Sequence, residues 1–321
     1  MLSAKTRKRI KWMALAVIVL VVVVLGALSF FMLHYSLSPD SDSDEQALHR
    51  TRTETPWTAA WVDSIRATHA LRDTFITRSD GTRMHAWWVR AAQPTVRTAV
   101  LVHGYNCQGL MMLKVGYMFH HQLEFNILLP DLAAHGRSDG DAIGMGWNDR
   151  HDVMRWMQVA DDLFRGDSAM TRMVVMGISM GAATVMCVAG EPQQPYVKAF
   201  IEDCGYTSVW DEFAGEARKQ FGVPEFPLLY TTSALCKLRY GWSFGEASPL
   251  NQVKKCHLPM LFIHVDADDY VPTWMVHPLY EAKPQPKQLW LVPGAGHDRS
   301  YNLYPDLYAA HVRAFLTRHQ I

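Results

Sequence analysis

Six short runs that are apolar almost throughout, at 99–102, 125–129, 173–176, 199–201, 260–265 and 289–292, constrain this chain more than any other feature of it. A strand with one wet face alternates polar and apolar residues. A run apolar on both faces predicts a strand of a parallel sheet with helices covering both sides. Helical stretches lie between the runs, among them 150–164 and 180–189. Ahead of them, segments 73–79 and 82–90 bracket Asp80-Gly81, a dipeptide that favours the tight turn of a hairpin. An antiparallel hairpin leading into a βαβ series predicts an α/β fold with a mostly parallel, doubly wound sheet.

The composition can fill such a fold. Of 321 residues, 49% are hydrophobic and 19% charged, which is ample for a large core. Lys plus Arg and Asp plus Glu number 31 each, so no basic field draws phosphates, and nucleic acid is excluded as a partner. Cys107, Cys187, Cys204, Cys236 and Cys256 are widely spaced, with no zinc pattern, and read as buried thiols. The histidines are scattered and form no His-Glu-x-x-His helix. Neither a metal nor another cofactor is expected.

The N-terminus adds a second constraint. Lys5, Arg7, Lys8, Arg9 and Lys11 precede an uncharged run over 12–33. As a helix these 22 residues reach about 33 Å, enough for a hydrocarbon core of roughly 30 Å. A transmembrane anchor over 12–33 is expected, behind a cytoplasmic basic tail over 1–11 that leaves the rest of the chain extracytoplasmic. The rival is a cleaved signal peptide with a small-residue site at Ala27-Leu28-Ser29, but apolar Phe30-Phe31-Met32-Leu33 continues past it. Segment 34–55, rich in Ser, Asp and Glu, reads as a solvated polar linker, and 56–321 as the folded domain. There, Thr55-Pro56 reads as a helix cap followed by a first-turn proline, and Trp57, Trp61 and Ile65 share one face of a short helix.

Three features that could carry chemistry each follow a predicted strand. Gly177-Ile178-Ser179-Met180-Gly181 falls between a strand and a helix of small residues, the setting in which a serine hydroxyl is held out from a strained turn as a nucleophile. The competing reading is an ordinary glycine turn with a capping serine. His297, in the glycine-rich loop after the last strand, could act as general base. Asp266, Asp268 and Asp269 follow the 260–265 strand, and a carboxylate there can orient the imidazole. For an oxyanion hole, the N–H of Met180 follows the serine, and Gly104 permits a tight loop that would present the N–H of Tyr105. His103 and Asp203 read as structural.

Residues 73–319 resemble the α/β-hydrolase superfamily. They are similar to bacterial, often membrane-anchored, esterases or acyl hydrolases. The resemblance rests on His103-Gly104-Tyr105, on Asp131-Leu132-Ala133-Ala134-His135-Gly136-Arg137-Ser138, on Gly177-Ile178-Ser179-Met180-Gly181, on Ile143-Gly144-Met145-Gly146-Trp147 with Asp149-Arg150, and on Asp203-Cys204-Gly205-Tyr206-Thr207-Ser208. Aligning Val271-Pro272 with the family's pattern selects Asp268 as the acid of a Ser179–Asp268–His297 triad. The resemblance implies a serine hydrolase acting on a small-molecule acyl substrate. The alternatives are a peptidase or amidase of the same fold, and a non-catalytic binding module. Between 206 and 258, aromatic residues such as Trp210, Phe213, Phe226 and Trp242, with Pro224 and Pro227, suggest a helical cap over the site.

Overall fold

The computed structural model describes residues 3–40, 42–167 and 169–321. One eight-stranded sheet holds β1 (Arg72–Thr77), β2 (Arg83–Val89), β3 (Arg97–Val102), β4 (Asn126–Pro130), β5 (Arg172–Ile178), β6 (Val197–Asp203), β7 (Met260–Val265) and β8 (Lys287–Val292). The spatial order is β1-β2-β4-β3-β5-β6-β7-β8. The β1–β2 and β2–β4 pairings are antiparallel, and all later pairings are parallel. The hairpin turns at Asp80-Gly81, where Gly81 takes φ 90°, and the six apolar runs fall on β3 to β8.

Strand β3 shows why both faces are apolar. Val100 and Val102 enter one core cluster, while Ala99 and Leu101 enter another on the opposite face. The helices that close these clusters are α1 (Ala4–Leu37), α2 (Asp44–Glu54), α3 (Ala59–Ala67), α4 (Leu113–Tyr117), α5 (Asp149–Phe164), α6 (Met180–Ala189), α7 (Val209–Phe221), α8 (Leu228–Tyr240), α9 (Pro249–Val253), α10 (Val276–Ala282), α11 (Ser300–Leu303) and α12 (Pro305–Arg318). Helices α5, α6 and α10 cover one face, and α3, α4 and α12 the other. Helices α7 and α8, between β6 and β7, form a cap beyond the carboxyl ends of the strands.

The N-terminal region departs from the sequence reading in three ways. First, the helix does not stop at 33. Helix α1 is the one described helix long and apolar enough to cross a membrane, and it continues to Leu37. Ser29, Leu33 and Leu37, at i, i+4 and i+8, are buried. Ser29 Oγ donates to Thr231 Oγ1 on α8 at 2.7 Å, and the Ile143 N–H donates to Leu37 O at 2.9 Å. Second, the solvated linker expected over 34–55 is largely a helix. Ser43 and Gln46 close a capping box at the start of α2, and Ala47, Leu48 and Thr51 are buried on one side. Two adjacent apolar residues on an otherwise polar helix suffice, because the short 3-10 helix Gly109–Met112 covers them. Third, Thr55 caps nothing. Its hydroxyl donates back to Thr51 O, and the turn from Pro56 leads into α3, where Trp61 and Ile65 are buried while Trp57 is exposed.

Candidate active site

Ser179 stands between β5 and α6 with φ 57° and ψ −122°, a conformation an L-residue holds only when its surroundings enforce it. The flanking glycines are part of that enforcement. A Cβ at Gly177 would collide with the carbonyl of Gly181, and one at Gly181 with the carbonyls of Val102 and His103. The turn therefore presses the start of α6 onto the end of β3.

The three residues expected to work together do meet. His297 Nε2 lies 2.8 Å from Ser179 Oγ, and Nδ1 lies 2.8 Å from Asp268 Oδ2. The other carboxylate oxygen of Asp268 accepts the N–H groups of Tyr270 (3.0 Å) and Val271 (2.9 Å). This arrangement assigns Nδ1 as donor to the carboxylate and leaves Nε2 to accept the serine proton. Burial opposes ionisation of Asp268, but the hydrogen bond and charge of His297 outweigh it and hold the carboxyl below its ordinary value. Burial likewise opposes a charge on His297. The bond to Asp268 and the charges of Asp268, Asp298 and Asp203 reverse that and raise its pKa. The neighbouring acids are occupied elsewhere: Asp266 accepts from the Gly294 N–H at 2.7 Å, and Asp269 pairs with Lys219.

The segments carrying the family resemblance form the frame around this relay. His103 is fully buried, with Nδ1 donating to Gly104 O at 2.8 Å and Nε2 accepting from the Leu132 N–H at 3.0 Å. It fixes the loop that leads to Tyr105, and its role is structural. Asp131 accepts from the N–H groups of Gly109 and Arg137 and from His85, which ties that loop to the turn at 133–137. Asp149 accepts from the Gly146 N–H, and Tyr206 O–H donates to Met145 O, so the 143–147 segment is held against the cleft. Asp203 receives Tyr308 O–H at 2.8 Å and sits apart from the imidazole hydrogen bonds; burial pushes its carboxyl up to about 6. Cys204, His264 and Asp268 lie within 4.8 Å of one another, but Asp268 is engaged by His297 and two N–H groups, and the Cys204 thiol donates to Asp203. All five cysteines are free thiols, four of them buried and Cys107 partly so.

Two cavities meet at Ser179. The larger, about 520 Å³, lies under the cap between α1, α7 and α8. Met32 and Tyr35 of α1, Phe213 and Ala217 of α7, and Leu228 and Leu229 of α8 are among its walls. The smaller, about 190 Å³, is bounded by Cys107, Met111, Met112, His297 and the Lys114–Asp298 ion pair. Tyr105 and Tyr270 border both. The sequence reading missed the contribution of α1, whose signal was the spacing of four that carries Ser29 and Leu33 on to Leu37. It also missed Glu212, one residue past the Asp211 whose N–H is capped by Ser208 in the first turn of α7.

A strained strand-to-helix serine, an acid after β7 and a histidine after β8, all at the carboxyl edge of a mostly parallel sheet, make this the fold of the α/β hydrolases. A profile of the Alpha/beta hydrolase family matches residues 99–311. The chain belongs to that family. It is 31% identical over 226 residues to the protein YqkD of Bacillus subtilis, covering 70% of this chain and 73% of the relative. Among solved structures, the esterase Pf2001 of Pyrococcus furiosus superposes with a TM-score of 0.60 at 22% identity, covering 77% of this chain and 92% of that one. A puromycin-hydrolyzing peptidase of Mycobacterium tuberculosis superposes with a TM-score of 0.58 at 18% identity, covering 78% of this chain and 39% of that one.

Proposed function

We propose that this hydrolase cleaves an ester or related acyl bond through an acyl-enzyme on Ser179. The observation that carries the reading is the continuous relay Ser179 Oγ–His297–Asp268, with both links at 2.8 Å. His297 Nε2 takes the hydroxyl proton as Oγ attacks the carbonyl carbon, and Asp268 stabilises the resulting imidazolium. The negative oxygen faces the N–H groups of Met180 and Tyr105. The Met180 N–H is the first of α6 and has no intrahelical carbonyl to serve. Collapse of this intermediate passes the proton from Nε2 to the leaving oxygen. Water then gives a proton to Nε2 as its oxygen attacks the acyl carbon; the bond from that carbon to Oγ breaks, Nε2 returns the proton to Oγ, and the acid leaves.

The pockets suggest where the two halves of the substrate sit. The leaving group must receive its proton from His297, and His297 borders only the smaller cavity. The acyl chain therefore occupies the larger one. A confined leaving-group pocket favours a small alcohol over an extended peptide. Helix α1 serves as a retained membrane anchor with its basic end cytoplasmic and the hydrolase outside. Retention is supported by the packing of Ser29, Leu33 and Leu37, since cleavage at Ala27-Leu28-Ser29 would cut the helix at its seam with α8.

Two experiments test these readings. Fluorophosphonate should label the full chain, and Ser179→Ala should lose both labelling and turnover of a p-nitrophenyl ester while remaining folded. Retained turnover in that variant would sink the mechanism. Protease added to spheroplasts should shave the domain from outside, and full protection until lysis would reverse the topology.

A further inference from the structure

The acyl cleft has a charge pattern that its apolar walls do not explain. Its charged side chains are the carboxyls of Glu212, Glu216, Glu225 and Asp40, and among the described residues no lysine or arginine lines it. The basic side chain at its rim is His34, exposed at the end of α1 and bonded to Ser38. Glu212 differs from the other three acids. It lies in the first turn of α7, is only 5% exposed, and its Oε2 has no hydrogen-bond partner. A buried polar atom left unpaired in a native fold requires an explanation. Ser208 and Asp211 already satisfy the start of α7, so helix capping does not supply one.

We infer that the cleft receives an acyl chain bearing a protonated amine, with Glu212 as its counter-charge. This rests on Ser179 being the nucleophile and on the acyl chain filling the larger cavity. An ammonium brings donors and a positive charge to a wall whose charged groups, His34 at the rim aside, are carboxyls. Burial, with the nearby charges of Glu216 and Asp268, pushes the Glu212 carboxyl well above its ordinary value. A nearby ammonium favours its ionised form. The same wall disfavours a carboxylate or phosphate, which would meet four acids with no lysine or arginine lining the cleft; the outlying Arg218 lies 3.9 Å from Glu225.

The test compares p-nitrophenyl 8-aminooctanoate, octanoate and hydrogen suberate as substrates of the full chain in neutral detergent. The amine-tailed ester should exceed the carboxylate-tailed one in kcat/KM by roughly tenfold or more. Glu212→Gln should lower that ratio several-fold. Inhibition of octanoate turnover by hexylamine but not by hexanoate gives the same reading without a variant. Turnover of octanoate with no preference for the amine, or with a preference for the carboxylate, overturns the inference and leaves the serine mechanism standing. A preference unchanged by Glu212→Gln overturns the role of Glu212. Turnover of none of the three, with no fluorophosphonate labelling, overturns the underlying mechanism as well.

Discussion

Tyr105 O–H donates to the carbonyl of Ser36 at 3.0 Å. The residue whose N–H is proposed to meet the oxyanion thus grips the last turn of α1 with its other end. A segment that the sequence separates from that loop by some seventy positions is bonded to it.

Tyr105→Phe keeps the ring and the N–H and removes only this bond. A single neutral hydrogen bond contributes about 0.5–1.5 kcal/mol, so stability should fall by about that amount. Turnover should fall further than a surface change would cause, by about threefold to tenfold, because the loop gains freedom. Steady-state kinetics beside a thermal melt checks both, and an unchanged kcat would show the bond to be irrelevant to catalysis.

The three acids after β7 should separate sharply. Asp268→Asn breaks the orientation of His297 and should cost about 10³–10⁴ in kcat. Asp266→Asn and Asp269→Asn touch a backbone N–H and a surface lysine, and should stay within about twofold of wild type. Damage concentrated at Asp266 or Asp269 would mean that the wrong carboxylate has been assigned.

The pH profile follows from His297, which must be neutral to accept the serine proton. Its pKa is raised, so kcat/KM should climb as pH increases and reach half its plateau above the ordinary imidazole value of about 6.5. Removing the Asp268 charge leaves burial as the dominant influence on the ring, which lowers the pKa. The residual activity of Asp268→Asn should therefore have its acid limb at lower pH. A limb that stays in place would separate the observed titration from His297.

Two glycines make opposite predictions about stability. Gly181→Ala drives a methyl into the carbonyls of Val102 and His103 and should cost about 1–3 kcal/mol or more. Gly215 lies within α7 with open space where its Cβ would point, so Gly215→Ala should add about 0.5–1 kcal/mol. Denaturant midpoints measure both.

The sheet was legible because parallel strands are dry on both faces, and a strand such as β7, buried along its whole length, has no alternation to hide it. Ser179 and His297 were legible for a related reason: glycine, serine and histidine at the end of a dry strand leave few other uses. Choosing among the three acids needed a family pattern, since Asp266, Asp268 and Asp269 are one residue type in one loop. Helix α2 escaped notice because its polar composition resembles a linker, and only the Ser43–Gln46 capping box with Ala47 and Leu48 betrays it. Glu212 escaped because burial of a lone acid depends on which helices close over it, and a single sequence does not state which they are.

The seating of Ser29, Leu33 and Leu37, with the Ile143–Leu37 bond, leaves the hydrolase no leash. On the membrane reading, the catalytic serine is held at one height above the bilayer and cannot sweep the space beyond it. Such an enzyme meets its substrates in two dimensions. Its output would follow their density in a thin layer at the lipid surface rather than their concentration in the surrounding fluid.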